Sequence, residues 1–213
     1  MTTPTPTRSD APMAELLIDR YLPHYDVGLV EHTLAEADLA TTWQALYGLD
    51  LAQVHTPLMD AAMSVRVLPA RVAARLGRGA QPEAPTRLPL GGGGPPMQGW
   101  LSLGEIAERE IALGAVGRFW RPDIQWYDVT AMTPDAFASF SESGWGRIAA
   151  NFTVLPYTPS RTLLTYEVRT ATADPDAARR FARYWTVIRP FVGHIMRAAL
   201  ATVRADAEPR AGR

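Results

Sequence analysis

Apolar residues recur at steps of three and four over residues 174–207, near the C-terminus. Asp174 is a favourable N-cap because its carboxylate can accept from the free N–H groups of a first turn. Pro175 follows at the first helical position, where its missing N–H costs nothing. At about 100° per residue the large apolar residues fall on one stripe of a helix. The stripe consists of Phe181, Trp185, Ile188, Val192, Ile195, Ala199 and Val203.

We predict one long helix that is largely buried from Phe181 to Ile195 along this stripe. Arg179, Arg183 and Arg197 fall on the other side and are expected to be exposed. Pro190 removes one backbone hydrogen bond in the middle of the helix and predicts a kink. A kinked helix of this length can follow a concave surface, so we expect the rest of the chain to supply a curved sheet.

The rest of the chain carries strand patterns, in which apolar and polar residues alternate. Helices are predicted at 14–21 and 37–46, with further helical patterns after Thr56 and from Pro69. The segment MTPDAFASF is interpreted as a turn and a short segment. One strand precedes two short helices, a run of antiparallel strands follows, and the long helix closes the chain, which predicts an α+β architecture. Strands are predicted at 25–34, 100–106, 110–119, 147–155 and 162–170, with a further candidate at 124–132.

Composition excludes several classes of function. The net charge of the 213 residues is −1, so no electrostatic attraction to nucleic acid or to an anionic membrane is expected. The absence of cysteine excludes disulfides, thiolate metal sites and cysteine nucleophiles. All basic residues are arginine, which excludes Schiff-base and P-loop lysines. We expect no cofactor.

We predict a single domain over residues 13–207 with disordered tails at 1–12 and 208–213. A flexible loop is expected at 77–99, because four consecutive glycines and five prolines disfavour regular structure. Its place between the helices and the sheet makes it a candidate gate for an interior site. The N-terminus lacks the apolar core of a signal peptide, and no apolar run is long enough for a transmembrane helix, so a cytoplasmic location is expected.

Five local phrases resemble a bacterial, actinobacterial-type branch of the SRPBCC superfamily, which includes START, pollen-allergen-like and polyketide cyclase/dehydrase-type proteins. The resemblance covers roughly residues 16–205. It implies a helix-grip fold, in which a curved antiparallel sheet wraps around a long C-terminal helix and encloses a cavity for an apolar molecule. Some members of the superfamily are polyketide aromatase/cyclases, and others bind or carry lipids. The phrases are IDRYLPHYDV, VGRFWRPD, AANFTV, YEVRT and DPDAARRFARYWTVIRP.

The four histidines do not indicate a metal site, because no pair has ligand spacing. His194 falls on the arginine side of the long helix and is expected to be solvated, while His24 and His55 are expected at the surface. His32 lies in the first strand, and its face is left open. A nucleophile elbow and a dinucleotide-binding glycine pattern are both absent from the sequence.

Charged residues on the strands have two interpretations. Glu108, Glu110 and Arg118, which flank one strand, and Glu167 and Arg169, which lie in another, can form exposed cross-strand pairs, each contributing at most about 1 kcal/mol. Alternatively one arginine points inward and binds an acidic group through its forked donors. Apolar side chains on the sheet and the long helix complete the hypothetical ligand site. The site then consists of Arg118, Phe152, Tyr166, Arg169, Trp185 and Ile188.

Three functions are considered, and the resemblance implies the first two. The first is binding or carriage of an apolar or aromatic small molecule or lipid between the sheet and the C-terminal helix. The second is a polyketide aromatase/cyclase or dehydratase, with Glu31, His32, Glu167 and Arg169 as the candidate acids and bases. The third is an interaction partner with a filled core. The sequence leaves the oligomeric state open.

Overall fold

The structure is a computed structural model that describes residues 15–51, 90–91, 99–121 and 123–208. Its helices are α1 Leu17–Tyr21, α2 Leu39–Tyr47, α3 Pro134–Ser139 and α4 Pro175–Ala207. Its strands are β1 Val27–Ala35, β2 Trp100–Ile106, β3 Glu110–Arg118, β4 Gln125–Trp126, β5 Gly146–Thr158 and β6 Arg161–Thr172.

The strands form one antiparallel sheet in the order β1-β6-β5-β3-β2, and β4 pairs with β3. The long C-terminal helix α4 packs against β1 and β6. This confirms the predicted α+β architecture, with the sheet and closing helix of a helix-grip fold. Only α2 is described between β1 and β2, so the second short helix expected there lies outside the described residues.

Both faces of the sheet carry packed side chains, which alternate between the faces along each strand. On the inner face, Ile111 and Phe152 pack with Val203 of α4. On the outer face, Ala112 packs with Phe137 of α3 and with α1. The outer face is tightly packed: a Cβ added at Gly114 would lie 3.0 Å from the side chains of Leu103 and Phe137. The sheet is therefore the middle of three layers.

Helix α4 begins as predicted. The Asp174 carboxylate accepts from the N–H groups of Asp176 and Ala177, both at 2.9 Å. Its pKa is lowered to about 2, chiefly by the hydrogen bonds from Ala177 and Gly144. The three arginines expected to be exposed are exposed.

The burial of α4 differs from the prediction in the middle of the helix. Phe181 is buried, whereas Trp185, Ile188, Val192 and Ile195 are only half-buried. After Pro190 the first buried positions are Gly193 and Met196, one residue beyond the predicted Val192 and Ile195, and Ala199 and Val203 are buried as the stripe predicts. The middle of α4 is therefore less enclosed than its two ends. The buried residues are Ala177, Phe181, Gly193, Met196, Ala199, Leu200, Val203 and Ala207.

The region after β3 also differs from the prediction. The candidate strand at 124–132 is reduced to Gln125–Trp126, and MTPDAFASF contains the helix α3. Thr133 caps this helix by accepting from the N–H of Ala136 at 3.2 Å. At its other end Arg147 donates to the carbonyl oxygens of Phe137, at 2.9 Å, and Ala138. These end contacts stabilise a helix too short to show a periodic pattern.

Several sequence-based expectations fall outside the described residues. They are the tail at 1–12, the helical patterns after Thr56 and Pro69, most of the loop at 77–99, and the C-terminal tail after Glu208. Within that loop Leu90 is described and buried, and its N–H donates to the Leu49 carbonyl oxygen at 2.9 Å. Among the described helices, none combines the length and apolar character needed to span a bilayer.

Candidate functional site

Two separate groups of side chains pack on the inner face of the sheet. The α2 cluster surrounds Phe152 and includes Leu46 of α2 and Leu200 of α4. The tryptophan cluster is built on the buried residues Ala115, Phe119 and Phe181, with half-buried rings around them. Those rings belong to Trp100, Trp120, Trp126, Tyr184 and Trp185.

A strip of apolar side chains lies between these clusters and belongs to neither of them among the described residues. On the sheet Leu29 and Val168 are half-buried, and on α4 so are Ile188 and Val192. Ala150 is 3% exposed and pairs across the strands with Leu113 and Val168. Ala150 has the smallest side chain of this set, so the surface of the sheet has a shallow depression at this position. We call Leu29, Ala150, Val168, Ile188 and Val192 the central strip.

Tyr166 lies where the α2 cluster meets the central strip. Its ring stacks on Phe152 across β5 and β6, with centroids 3.9 Å apart and planes at 25°. The next residue on the same face is Val168, a member of the strip. Burial raises the pKa of Tyr166 to about 12, so its hydroxyl stays protonated at neutral pH. Tyr166 therefore supplies a neutral polar group beside an apolar surface.

An ion pair borders the strip on the β1 side. Arg197 Nη1 of α4 lies 2.5 Å from Glu31 Oε1, and Glu31 is the cross-strand neighbour of Tyr166. Gly193 allows α4 to approach β1 here, since a Cβ at this position would lie 3.2 Å from both charged groups. Arg197 is exposed as predicted, but its pairing with Glu31 was not foreseen because 166 residues separate the two in sequence.

The six residues of the hypothetical ligand site do not lie together. Phe152 and Tyr166 are on the inner face. Trp185 packs in the tryptophan cluster, and Ile188 belongs to the central strip. Both arginines lie on the outer face, so the expectation that one of them points towards α4 is wrong.

Arg118 has partners on the outer face. Its Nε donates to the Gly144 carbonyl oxygen at 3.1 Å and its Nη1 to Gln125 Oε1 at 3.0 Å. The guanidinium carbon lies 4.4 Å from the ring centroid of Trp145. These contacts hold the loop between α3 and β5 against the sheet.

Arg169 is buried on the same outer face. Its Nε lies 2.6 Å from Glu167 Oε1, and its Nη2 lies 2.7 Å from Asp19 Oδ1 of α1. Its Nη1 donates to the Leu22 carbonyl oxygen at 3.3 Å. Arg169 therefore fixes α1 and the following turn to the sheet.

The four candidate acids and bases are also divided between the faces. Glu31 is on the inner face, while His32, Glu167 and Arg169 are on the outer face. His32 is exposed and its Nδ1 lies 2.8 Å from Thr165 Oγ1. These four groups therefore do not converge at one place, as the enzyme hypothesis would require.

The other histidines have different surroundings. His24 is exposed as expected. His194 is half-buried and has an interaction partner, instead of being fully solvated. His55 lies outside the described residues. In the described ranges no three histidine, aspartate or glutamate side chains gather at metal-binding distance.

Glu110 is buried, contrary to the interpretation that the charged residues of this strand form exposed cross-strand pairs. Its carboxylate accepts from the N–H of Leu17 at 2.7 Å and from that of Ile18 at 3.2 Å. Asn151 Nδ2 also donates to it, at 2.7 Å. Glu110 therefore satisfies the free backbone donors at the start of α1, a role that sequence spacing alone does not reveal because 92 residues separate it from Ile18.

No family model matches the chain, and no curated protein matches it significantly. A search of solved structures finds a hypothetical protein, jhp0584, from Helicobacter pylori, with 9% identity, a TM-score of 0.41, and coverage of 98% of this chain and 99% of that chain. It also finds the Zhui aromatase/cyclase from Streptomyces sp. R1128, with 12% identity, a TM-score of 0.32, and coverage of 85% and 93%. At TM-scores below 0.5 neither likeness assigns a function to this chain.

Proposed function

We propose that this protein binds and carries an apolar or aromatic small molecule, or a lipid, between the inner face of the sheet and the middle of α4. The supporting observation is the central strip, where apolar side chains of sheet and helix face each other and, among the described residues, belong to neither packed cluster. Around Gly114, by contrast, the outer face of the same sheet is packed to van der Waals contact.

The chemistry of the strip determines which molecules suit it. Leu29, Val168, Ile188 and Val192 offer only hydrocarbon, and removing apolar surface from water contributes about 2.5 kcal/mol for each 100 Å² buried. Trp185 adds an aromatic wall at one end, and the stacked Phe152–Tyr166 pair adds another at the other end. A flat, mainly apolar molecule is the ligand that these surfaces complement best.

We also propose that the chain belongs to the SRPBCC superfamily. Its support is the sequence resemblance together with the order of strands and the closing helix. The alternative function, a polyketide aromatase/cyclase or dehydratase, requires an acid or base beside the strip. Of the four candidates only Glu31 is on the inner face, and it is paired with Arg197, so we favour binding. The cytoplasmic location, the single-domain organisation and the lack of a nucleic-acid partner stay predictions from the sequence.

Fluorescence titration with N-phenylnaphthylamine, an uncharged probe that brightens in apolar surroundings, tests the proposal. Saturable binding to the wild type is expected. Ile188→Trp fills the strip and should weaken binding by at least about tenfold, which is 1.4 kcal/mol. Val187→Trp is the matched control, because Val187 is the next residue and is 78% exposed. Lack of saturable binding to the wild type, or equal effects of the two variants, would contradict the proposal.

Native mass spectrometry of the freshly purified protein complements the titration. A co-purifying apolar molecule should appear on the wild type and decrease on Ile188→Trp. Its mass would also identify the class of ligand that the strip accepts.

A further inference from the structure

We propose that the Tyr166 hydroxyl is the hydrogen-bond donor of this site and that it selects ligands with a neutral acceptor, such as a ketone, ester or amide carbonyl, over ligands with a carboxylate. This inference rests on the proposed function, because it concerns the same central strip. It replaces the sequence-based expectation that an arginine selects an acidic ligand.

The position of Tyr166 favours this role. Stacking on Phe152 holds the ring on the inner face. Phe152 is 1% exposed, so the ring on which Tyr166 rests is itself fixed in the α2 cluster. Val168, the following inner-face residue of β6, belongs to the central strip. The phenol is therefore held at the edge of the proposed binding surface.

Among the described residues no hydrogen bond to the Tyr166 hydroxyl is found, and burial is the cause that raises its pKa. The hydroxyl of this half-buried residue can therefore bond to water or to a ligand, as polar groups in proteins nearly always do. The phenol is protonated at neutral pH, as tyrosine ordinarily is, and burial raises its pKa further to about 12. At neutral pH the group can therefore donate to a carbonyl oxygen.

The charges around the strip disfavour an anionic ligand. Glu31 is the cross-strand neighbour of Tyr166, and Arg197 is already paired with it. The arginines at 118 and 169 lie on the other face of the sheet. Moving a carboxylate from water to an apolar surface without a free cation is far more costly than moving a carbonyl. A neutral carbonyl gains the Tyr166 hydrogen bond without this penalty.

Three probes on one scaffold test the inference. They are dimethylaminonaphthalene itself, its propionyl ketone and its carboxylic acid. Each is titrated against the wild type, Tyr166→Phe and Tyr157→Phe. Tyr157 is the matched control because it lies on the same hairpin of β5 and β6 and is 64% exposed.

The wild type should bind the ketone more tightly than the parent probe, and the carboxylate most weakly. Tyr166→Phe should lose roughly 2- to 12-fold in affinity for the ketone, the usual contribution of one hydrogen bond. Its affinity for the parent probe should not change, and Tyr157→Phe should match the wild type with all three probes.

The outcomes separate the two proposals. If the parent probe binds but the ketone binds equally to the wild type and Tyr166→Phe, the Tyr166 inference is overturned and the proposed function stands. If none of the probes binds the wild type saturably, the proposed function fails. If Tyr166→Phe no longer binds even the parent probe, the inference is tested by the infrared carbonyl stretching frequency of the ketone bound to the wild type. A lower frequency than in alkane supports the hydrogen bond, and an unshifted frequency overturns it.

Discussion

The rings of Phe152 and Tyr166 stack with centroids 3.9 Å apart, and the two side chains face different surroundings. Phe152 is 1% exposed inside the α2 cluster, whereas Tyr166 is half-buried beside the central strip. This pair marks the point at which the close packing of the inner face ends. Removing a large side chain should therefore lower the free energy of unfolding more in the α2 cluster than beside the central strip.

Phe152→Ala should lower the free energy of unfolding by about 3–5 kcal/mol, because it removes a large ring from a packed core. Trp185→Ala should cost less, about 1–2 kcal/mol, because Trp185 keeps accessible surface. Urea unfolding of both variants measures the difference. Equal losses would show that the middle of α4 is packed as closely as the α2 cluster.

Arg169→Lys should lower stability by about 1–3 kcal/mol, since lysine cannot reproduce the forked contacts with Glu167 and Asp19. Its affinity for the naphthalene probes should equal that of the wild type, because Arg169 lies on the outer face. Arg118→Lys should likewise leave probe affinity unchanged. If either variant lost affinity for the carboxylate probe at unchanged stability, that arginine would contact the ligand, and its placement outside the site would be contradicted.

Glu110→Ala should destabilise the protein by about 2–4 kcal/mol, because it leaves the N–H groups of Leu17 and Ile18 and the Asn151 amide without their acceptor. Glu105→Ala is the control, because Glu105 is exposed on β2, the other strand of the β2–β3 hairpin. A change of at most about 0.5 kcal/mol is expected there. If the two variants lost equal stability, Glu110 would not hold α1 in place.

Stability should depend on the ionisation of Asp174 at acid pH. Its pKa is lowered from 3.8 to about 2, so its contribution is complete above pH 3.8 and is lost as the pH falls through about 2. Asp174→Asn should therefore melt at a lower temperature than the wild type at pH 5, and the difference should shrink towards pH 2. A difference independent of pH would contradict the role of the charged carboxylate.

Helix ends and strand periods could be predicted from the sequence because local residues determine them. Asp174 and Pro175 gave the start of α4, and β3 was predicted to within one residue as 110–119. Thr133 and Pro134 carry the same kind of signal for α3. That helix was missed because its six residues are too few to show a periodic apolar face.

The inward face of each strand could not be predicted, because helices cover both faces of this sheet. Alternation correctly grouped Arg169 with Glu167 and Tyr166 with Val168. With apolar residues on both sides, however, the pattern does not say which group faces α4. The burial of Glu110 and the pairing of the exposed Arg197 were not foreseen for a related reason, since their partners Leu17 and Glu31 are distant in sequence.

The measurement that tests the central claim most directly compares Ala150→Leu with Ala149→Leu. These neighbours are both buried but face opposite sides of the sheet, Ala150 beside the central strip and Ala149 in the packed outer face. If the strip leaves room for a ligand, Ala150→Leu should change the free energy of unfolding by less than about 1 kcal/mol and abolish probe binding, whereas Ala149→Leu should cost about 1–3 kcal/mol through overpacking and leave binding intact. Equal destabilisation by both substitutions would show that the inner face is filled, and would contradict a binding site between the sheet and α4.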